Sequence, residues 1–191
     1  MSAGPGLVFV ISGPSGVGKD ALIEKLVALD PNLERSVSFT TRRPRPNEKD
    51  GVDYSFVSRD EFQRLVDRGE MLEHAVYDGN FYGTSARRVE ELRGAGFDVI
   101  LKIEVKGAEQ VRRRLPDATF IFLAPPSMQE LIRRTTLRRT ESAEERSARQ
   151  MIAETEMTFA PHYDHVVVND DLDRAVGEVL AIIRSERERQ T

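Results

Sequence analysis

The chain has 191 residues, 39% hydrophobic and 31% charged, with 28 basic against 32 acidic side chains and a net charge of −4. That balance describes one soluble domain with a sizeable core and excludes a disordered chain or a general nucleic-acid coat. The absence of cysteine excludes disulfides and cysteine-bound zinc and predicts a cytoplasmic protein. His74, His162 and His165 are too scattered for a metal triad. No apolar run approaches the ~20 residues that span a membrane, and Met1-Ser2-Ala3-Gly4 lacks the basic start of a signal peptide.

In chain order, the apolar run Leu7–Ile11 predicts a buried strand and Ala21–Val27 a helix. Between them stands Gly13-Pro14-Ser15-Gly16-Val17-Gly18-Lys19-Asp20. A Gly-rich turn between strand and helix lets backbone N–H groups surround a polyphosphate, with the helix N-terminus and Lys19 adding positive charge. The position after the lysine is expected to be a hydroxyl that ligates Mg²⁺; here it is Asp20.

Pro31 ends the first helix at Asp30, and Ser36–Thr40 reads as a short strand. The proline-rich stretch Arg42–Gly51 is a loop, on which Arg42 and Arg45, three apart, suit a clamp for one phosphate. Ser58-Arg59-Asp60-Glu61 is a capping box opening a short helix with Gly69 after its end, and Met71–Tyr77 is a strand followed by a turn at Asp78-Gly79-Asn80. Helix is expected over Ser85–Ala95, strand over Val99–Glu104, helix over Gly107–Leu115 and strand over Thr119–Leu123. Ser127-Met128-Gln129-Glu130 is a second capping box, opening a charged helical stretch to about Thr158 that is interrupted near Thr140-Glu141-Ser142. Val166–Val168 is the last strand, and Leu172 to Ile183 recur at helical spacing. This alternation predicts an α/β fold with a mostly parallel central sheet and helices on both faces.

Taken together, Ser38-Phe39-Thr40-Thr41-Arg42-Arg43-Pro44-Arg45, Asp53-Tyr54-Ser55-Phe56-Val57, Gly79-Asn80-Phe81-Tyr82-Gly83-Thr84 and Val168-Asn169-Asp170-Asp171-Leu172-Asp173 resemble guanylate kinases. The resemblance implies a P-loop kinase fold in a single domain. Its core would be residues 1–35, 87–132 and 151–191, with a small GMP-binding lobe at 36–86 and a helical lid at about 133–150. It implies a nucleoside monophosphate kinase that transfers the ATP γ-phosphate in line to GMP or dGMP with Mg²⁺, as a monomer or homodimer, with no nucleic-acid or membrane partner.

By the same resemblance, Arg42, Arg45, Tyr54 and Tyr82 match positions that hold the GMP phosphate, and Ser38, Glu73 and Thr84 match those that read guanine. Glu104 matches an acidic position near guanine and the metal waters, usually Asp. Arg134, Arg138 and Arg149 match lid arginines that approach the ATP phosphates and, with Lys19 and Arg42, carry the catalytic charge. The family's Gly-Arg-Gly in the lid is replaced by Leu137-Arg138-Arg139. Gly13 to Asp20 and Asn169 match the ATP site, Asn169 on its adenine side. The Arg112-Arg113-Arg114 run reads as a solvated face.

Lys102 stands where the family is usually acidic. Two readings of these departures stay open. Either Asp20 and Lys102 are a charge-swapped pair in which Asp20 supplies an oxygen to Mg²⁺ or its waters, or the metal corner is impaired and the chain is a binding module. A sugar-phosphate kinase is a third reading, opposed by Ser38, Glu73 and Thr84.

Overall fold

Runs of consecutive apolar residues become strands covered on both faces, the pattern of a parallel sheet flanked by helices. The computed structural model describes residues 4–77, 79–136 and 143–190. Its elements in chain order are β1 (Val8–Ser12), α1 (Lys19–Leu29), β2 (Leu33–Arg35), β3 (Phe39–Thr40), β4 (Ser55–Phe56), α2 (Arg59–Asp67), β5 (Met71–Tyr77), β6 (Asn80–Ser85), α3 (Ala86–Gly94), β7 (Asp98–Lys102), α4 (Val105–Arg114), β8 (Thr119–Ala124), α5 (Met128–Thr136), α6 (Ala143–Met157), β9 (His165–Val168) and α7 (Leu172–Arg189). The chain divides into two units: Met1–Val8 with Asn32–Ala118, and Phe9–Pro31 with Thr119–Thr191.

In the first unit β2 and β7 pair parallel, Leu33 opposite Asp98. A second sheet has the order β4-β3-β6-β5, antiparallel except for β3 beside β4. Helix α2 begins where the capping signal predicts, with Ser58 Oγ accepting from the Glu61 N–H at 3.1 Å, and its Phe62 is buried against Phe81, ring centroids 5.4 Å apart. In the second unit β1, β8 and β9 pair parallel, Ile11 opposite Ile121 and Leu123 opposite Val167. Helices α1 and α7 pack together, and Leu22 and Leu26 on one and Val176, Val179 and Ile183 on the other are buried. Ser127 Oγ accepts from the Glu130 N–H at 3.1 Å, the second predicted cap.

Some bounds differ from expectation. Only Phe39–Thr40 of Ser36–Thr40 is strand, and Leu33–Arg35 is a strand that has no sequence signal of its own. Strand β7 ends at Lys102, so Glu104 is the N-cap of α4, which begins at Val105 and not at Gly107. The cause is that Ile103 and Val105 are both buried, which continues a strand-like alternation into the helix. Arg114 is not simply a solvated face, because its guanidinium donates to the Met71 carbonyl. The expected turn at Asp78 and the break at Thr140-Glu141-Ser142 lie outside the described residues.

Candidate active site

Gly13, Pro14, Ser15, Gly16, Val17 and Gly18 join β1 to α1, as the spacing predicts. Gly18 has φ +105°, and a Cβ there would lie 2.5 Å from Asn169 Nδ2, so backbone and neighbour both require glycine. Lys19 opens α1 with only 9% of its surface exposed. Its ammonium donates to the Gly13 carbonyl and, at 3.2 Å, to that of Pro14, and so folds back over its own loop. Asp20 is exposed in the first turn of α1, where a helix N-terminus favours a carboxylate.

Asn169 is buried just beyond β9, and its amide donates to the Val17 carbonyl at 2.8 Å. Arg134, on α5, donates to the Asn169 carbonyl at 3.0 Å and to Glu130 at 2.8 Å. Hydrogen bonds from Arg133 and then Arg134 draw the Glu130 carboxyl down to about 2. The structure thus brings Arg134, Asn169 and the Gly-rich loop together. Arg138 lies outside the described residues. Arg149 is on α6, and its side chain is outside the described ones.

The other predicted residues gather in the first unit. Glu73 on β5 faces Thr84 on β6 in register. The Thr84 hydroxyl donates to Glu73 Oε1 at 2.7 Å, with both side chains buried. Burial raises the Glu73 carboxyl to about 7; the Thr84 hydrogen bond opposes this, and the Glu104 charge adds to it. Glu104 Oε2 is itself buried with no hydrogen-bond partner among the described residues, and Ser38 is buried at the start of β3. Buried acceptors of this kind match a ligand that brings its own donors.

Arg42 leaves β3 and is held by both oxygens of Glu48, at 2.8 and 3.0 Å. Its guanidinium lies 5.5 Å from the Tyr54 ring centroid, and the Tyr54 and Tyr82 rings are 6.0 Å apart. Arg42 Nε is buried without a hydrogen-bond partner among the described residues. The backbone N–H of Arg45 donates to Glu48 Oε2 at 2.7 Å, and its exposed guanidinium is 4.0 Å from Oε1. The two arginines therefore do converge on one anion, here the Glu48 carboxylate. The Arg42 hydrogen bonds hold that carboxyl below its ordinary range.

Two residues escaped the sequence reading. Glu48 had a usable signal, standing three residues after Arg45 on the same loop. Gly107 had none: a Cβ there would lie 2.4 Å from Glu73 Oε2, a proximity created by folding across 34 positions.

The guanylate kinase family profile matches residues 6–186. The chain belongs to that family. It is 48% identical to the guanylate kinase of Alkalilimnicola ehrlichii over 97% of this chain and 91% of the relative. It is 46% identical to that of Desulfitobacterium hafniense over 98% and 94%. The crystal structure of guanylate kinase from Anaplasma phagocytophilum covers 97% of this chain, and the match covers 88% of that one, at 36% identity with a TM-score of 0.79. The fold is therefore the α/β P-loop kinase fold with a mostly parallel central sheet. Shikimate kinase from Bacteroides thetaiotaomicron, 14% identical with a TM-score of 0.50 over 93% of this chain and 98% of its own, shares the fold alone.

Proposed function

We propose that the chain is an ATP:GMP phosphotransferase that moves the γ-phosphate of ATP to GMP, and to dGMP, in the cytoplasm. The observation that carries this is the buried Glu73 carboxylate, held through one oxygen by Thr84. Guanine presents N1–H and N2–H donors and an O6 acceptor; adenine has no N1 donor. A buried carboxylate beside the unpartnered Glu104 oxygen suits the first base and leaves unpaired groups with the second. Under this reading Glu73, Thr84, Ser38 and Glu104 read the base, and Arg42, Arg45, Tyr54 and Tyr82 hold the acceptor phosphate. Residues 36–86 act as the acceptor lobe, the lid at about 133–150 bears Arg134, Arg138 and Arg149, and residues 1–35, 87–132 and 151–191 make up the core.

Gly13–Asp20 then receives ATP. Lys19 exchanges its carbonyl partners for phosphate oxygens, a change from neutral to charge-assisted hydrogen bonds. Asn169 braces the loop by its bond to the Val17 carbonyl. An ionised phosphate acceptor needs no general base, so positioning and charge neutralisation by Lys19, Arg42 and the lid arginines carry the transfer. The Asp20 carboxylate is a hard oxygen donor of the kind Mg²⁺ takes beside substrate phosphates, directly or through water. When bound, Mg²⁺ would offset charge on the β- and γ-phosphates.

The test is a coupled ADP-release assay with ATP and Mg²⁺ against GMP, AMP, CMP and UMP in parallel. Turnover confined to guanine nucleotides is expected. GMP binding without turnover would favour a binding module, and turnover of a sugar phosphate, added as a fifth acceptor, in place of GMP would overturn the acceptor assignment.

A further inference from the structure

Strand β5 is the last in the order β4-β3-β6-β5, so among the described residues one of its edges has no strand beside it. The N–H and C=O groups along such an edge need other partners. Helix α4 packs against β5 and supplies them from its side chains. The Gln110 carboxamide accepts from the His74 N–H at 3.2 Å and donates to the His74 carbonyl at 2.7 Å. Residues facing each other on antiparallel strands exchange the same two bonds, so Gln110 takes the place of a neighbouring strand. Arg114, four residues on, donates to the Met71 carbonyl.

The place of this grip matters because His74 follows Glu73. Neighbouring side chains on a strand point to opposite faces, and here Glu73 is buried while His74 is exposed. About one turn before Gln110, Gly107 comes so close that a Cβ would lie 2.4 Å from Glu73 Oε2. About one turn earlier again stands Glu104, the N-cap of α4, whose buried Oε2 has no hydrogen-bond partner among the described residues. Apolar burial between a helix and a strand is non-directional and tolerates sliding. A carboxamide bonded at both ends fixes height and orientation together. We infer that Gln110 is a positioning residue for base recognition: by gripping the His74 backbone it sets Glu73 on β5 against Glu104 on α4. This rests on the acceptor-site reading above, in which both carboxylates read guanine.

The test measures kcat and KM for GMP, inosine monophosphate and AMP with ATP and Mg²⁺ saturating, and Kd for each nucleotide by calorimetry. Inosine monophosphate keeps the N1–H and O6 of the guanine base without its 2-amino donor. The variants are Gln110→Met, Gln110→Glu, Arg114→Met, Glu73→Gln and the double Gln110→Met/Glu73→Gln. Gln110→Met keeps the length of the side chain and makes neither bond. It is expected to lower the preference for GMP over AMP about tenfold, the size of a small misplacement of a charged hydrogen-bond partner. The change should lie in KM for GMP more than in kcat, and inosine monophosphate should lose less than GMP. Gln110→Glu should be no better, since a carboxylate cannot donate to the His74 carbonyl. Arg114→Met removes the tie at Met71, across the register shift that separates Met71 from Glu73. It should lower the melting temperature and leave the preference alone. In the Glu73→Gln background, Gln110→Met should change the preference little, a non-additive cycle.

Each preference is a ratio within one sample, so a smaller folded fraction does not alter it. An unchanged preference in Gln110→Met overturns the inference. An equal change in Arg114→Met also overturns it, because that marks general packing, and so does full additivity with Glu73→Gln. Wild-type protein that neither binds nor turns over GMP sinks the parent reading as well; a GMP-selective wild type with an indifferent Gln110→Met sinks only this one.

Discussion

In the half we assign to the acceptor, side chains hold side chains: Thr84 fixes Glu73, Glu48 fixes Arg42, and Tyr54 packs beside Tyr82. In the half we assign to the donor, side chains hold the loop's backbone, since Lys19 donates to the carbonyls of Gly13 and Pro14 and Asn169 donates to that of Val17. The difference follows from what each half meets. A polyphosphate is a run of equivalent oxygens that N–H groups and one ammonium satisfy without reading a sequence of atoms. A purine base differs from its rivals by single donors and acceptors, which groups fixed at separate points of the site can match. Damage to the donor half should therefore cost rate, and damage to the acceptor half should cost selectivity.

The largest effect is expected from Lys19→Met. Removing the Lys19 ammonium, which folds back over the loop, should lower kcat by about 10³ and leave GMP binding nearly intact. A variant that lost GMP binding in equal measure, read by calorimetry without ATP, would blur the division between halves.

Glu73→Gln comes next and should do the reverse. It should lower kcat/KM for GMP by about 10², flatten the preference for GMP over AMP, and spare ATP. The pH dependence follows from burial, which takes Glu73 from 4.5 to about 7. The folded chain then holds this proton more tightly than the unfolded one. The resulting stability is fully present below 4.5 and is lost as pH rises through about 7. A shift of that size corresponds to about 3 kcal/mol. Guanine selects the ionised carboxylate, so KM for GMP should fall as pH rises through about 7. Both slopes should vanish in Glu73→Gln, which does not titrate; denaturant melts and initial rates at pH 5.5 to 8.5 would show it.

How much of this was legible in the sequence depends on how local each signal is. The loop, both capping serines and all of β5 were readable because each is set by residues within a few positions of one another. The three-residue strand β2 was not, because pairing with β7 creates it and its own pattern does not. The start of α4 was misplaced because Glu104 caps it without a side-chain hydrogen bond, so no Ser, Thr or Asp marks the boundary. The nearness of Arg42 and Arg45 was legible in their spacing, and the Glu48 they share could have been found the same way. That Gly107 abuts Glu73 depends on how β5 packs against α4 and is written in no local stretch.

Gly107→Ala therefore probes the acceptor half through a residue that has no functional group. Its new methyl must displace Glu73 Oε2 or α4, since 2.4 Å leaves no room for both. KM for GMP should rise about tenfold, near the cost of misplacing one charged hydrogen-bond partner, while KM for ATP stays unchanged. Gly107→Ser should be no better, because added polarity does not relieve the overlap. Loss of GMP over AMP preference separates this from a general loss of stability, which would lower both activities alike.

The smallest effect tests the donor half. Asn169→Ala removes the donor to the Val17 carbonyl and leaves that oxygen without its side-chain partner, at a cost of about 1 to 2 kcal/mol. KM for ATP should rise only a few-fold, as the loop keeps its glycines and Lys19, and GMP should be unaffected. Asn169→Asp sharpens the point. A carboxylate of the same shape cannot donate to Val17 and would place its charge against a carbonyl oxygen 2.8 Å away, so it should be less stable than the alanine variant. If the Asn169→Asp variant instead kept wild-type stability and lost only ATP affinity, the side chain would be acting on the nucleotide and not on the loop. The donor half would then read its ligand with a side chain, as the acceptor half does.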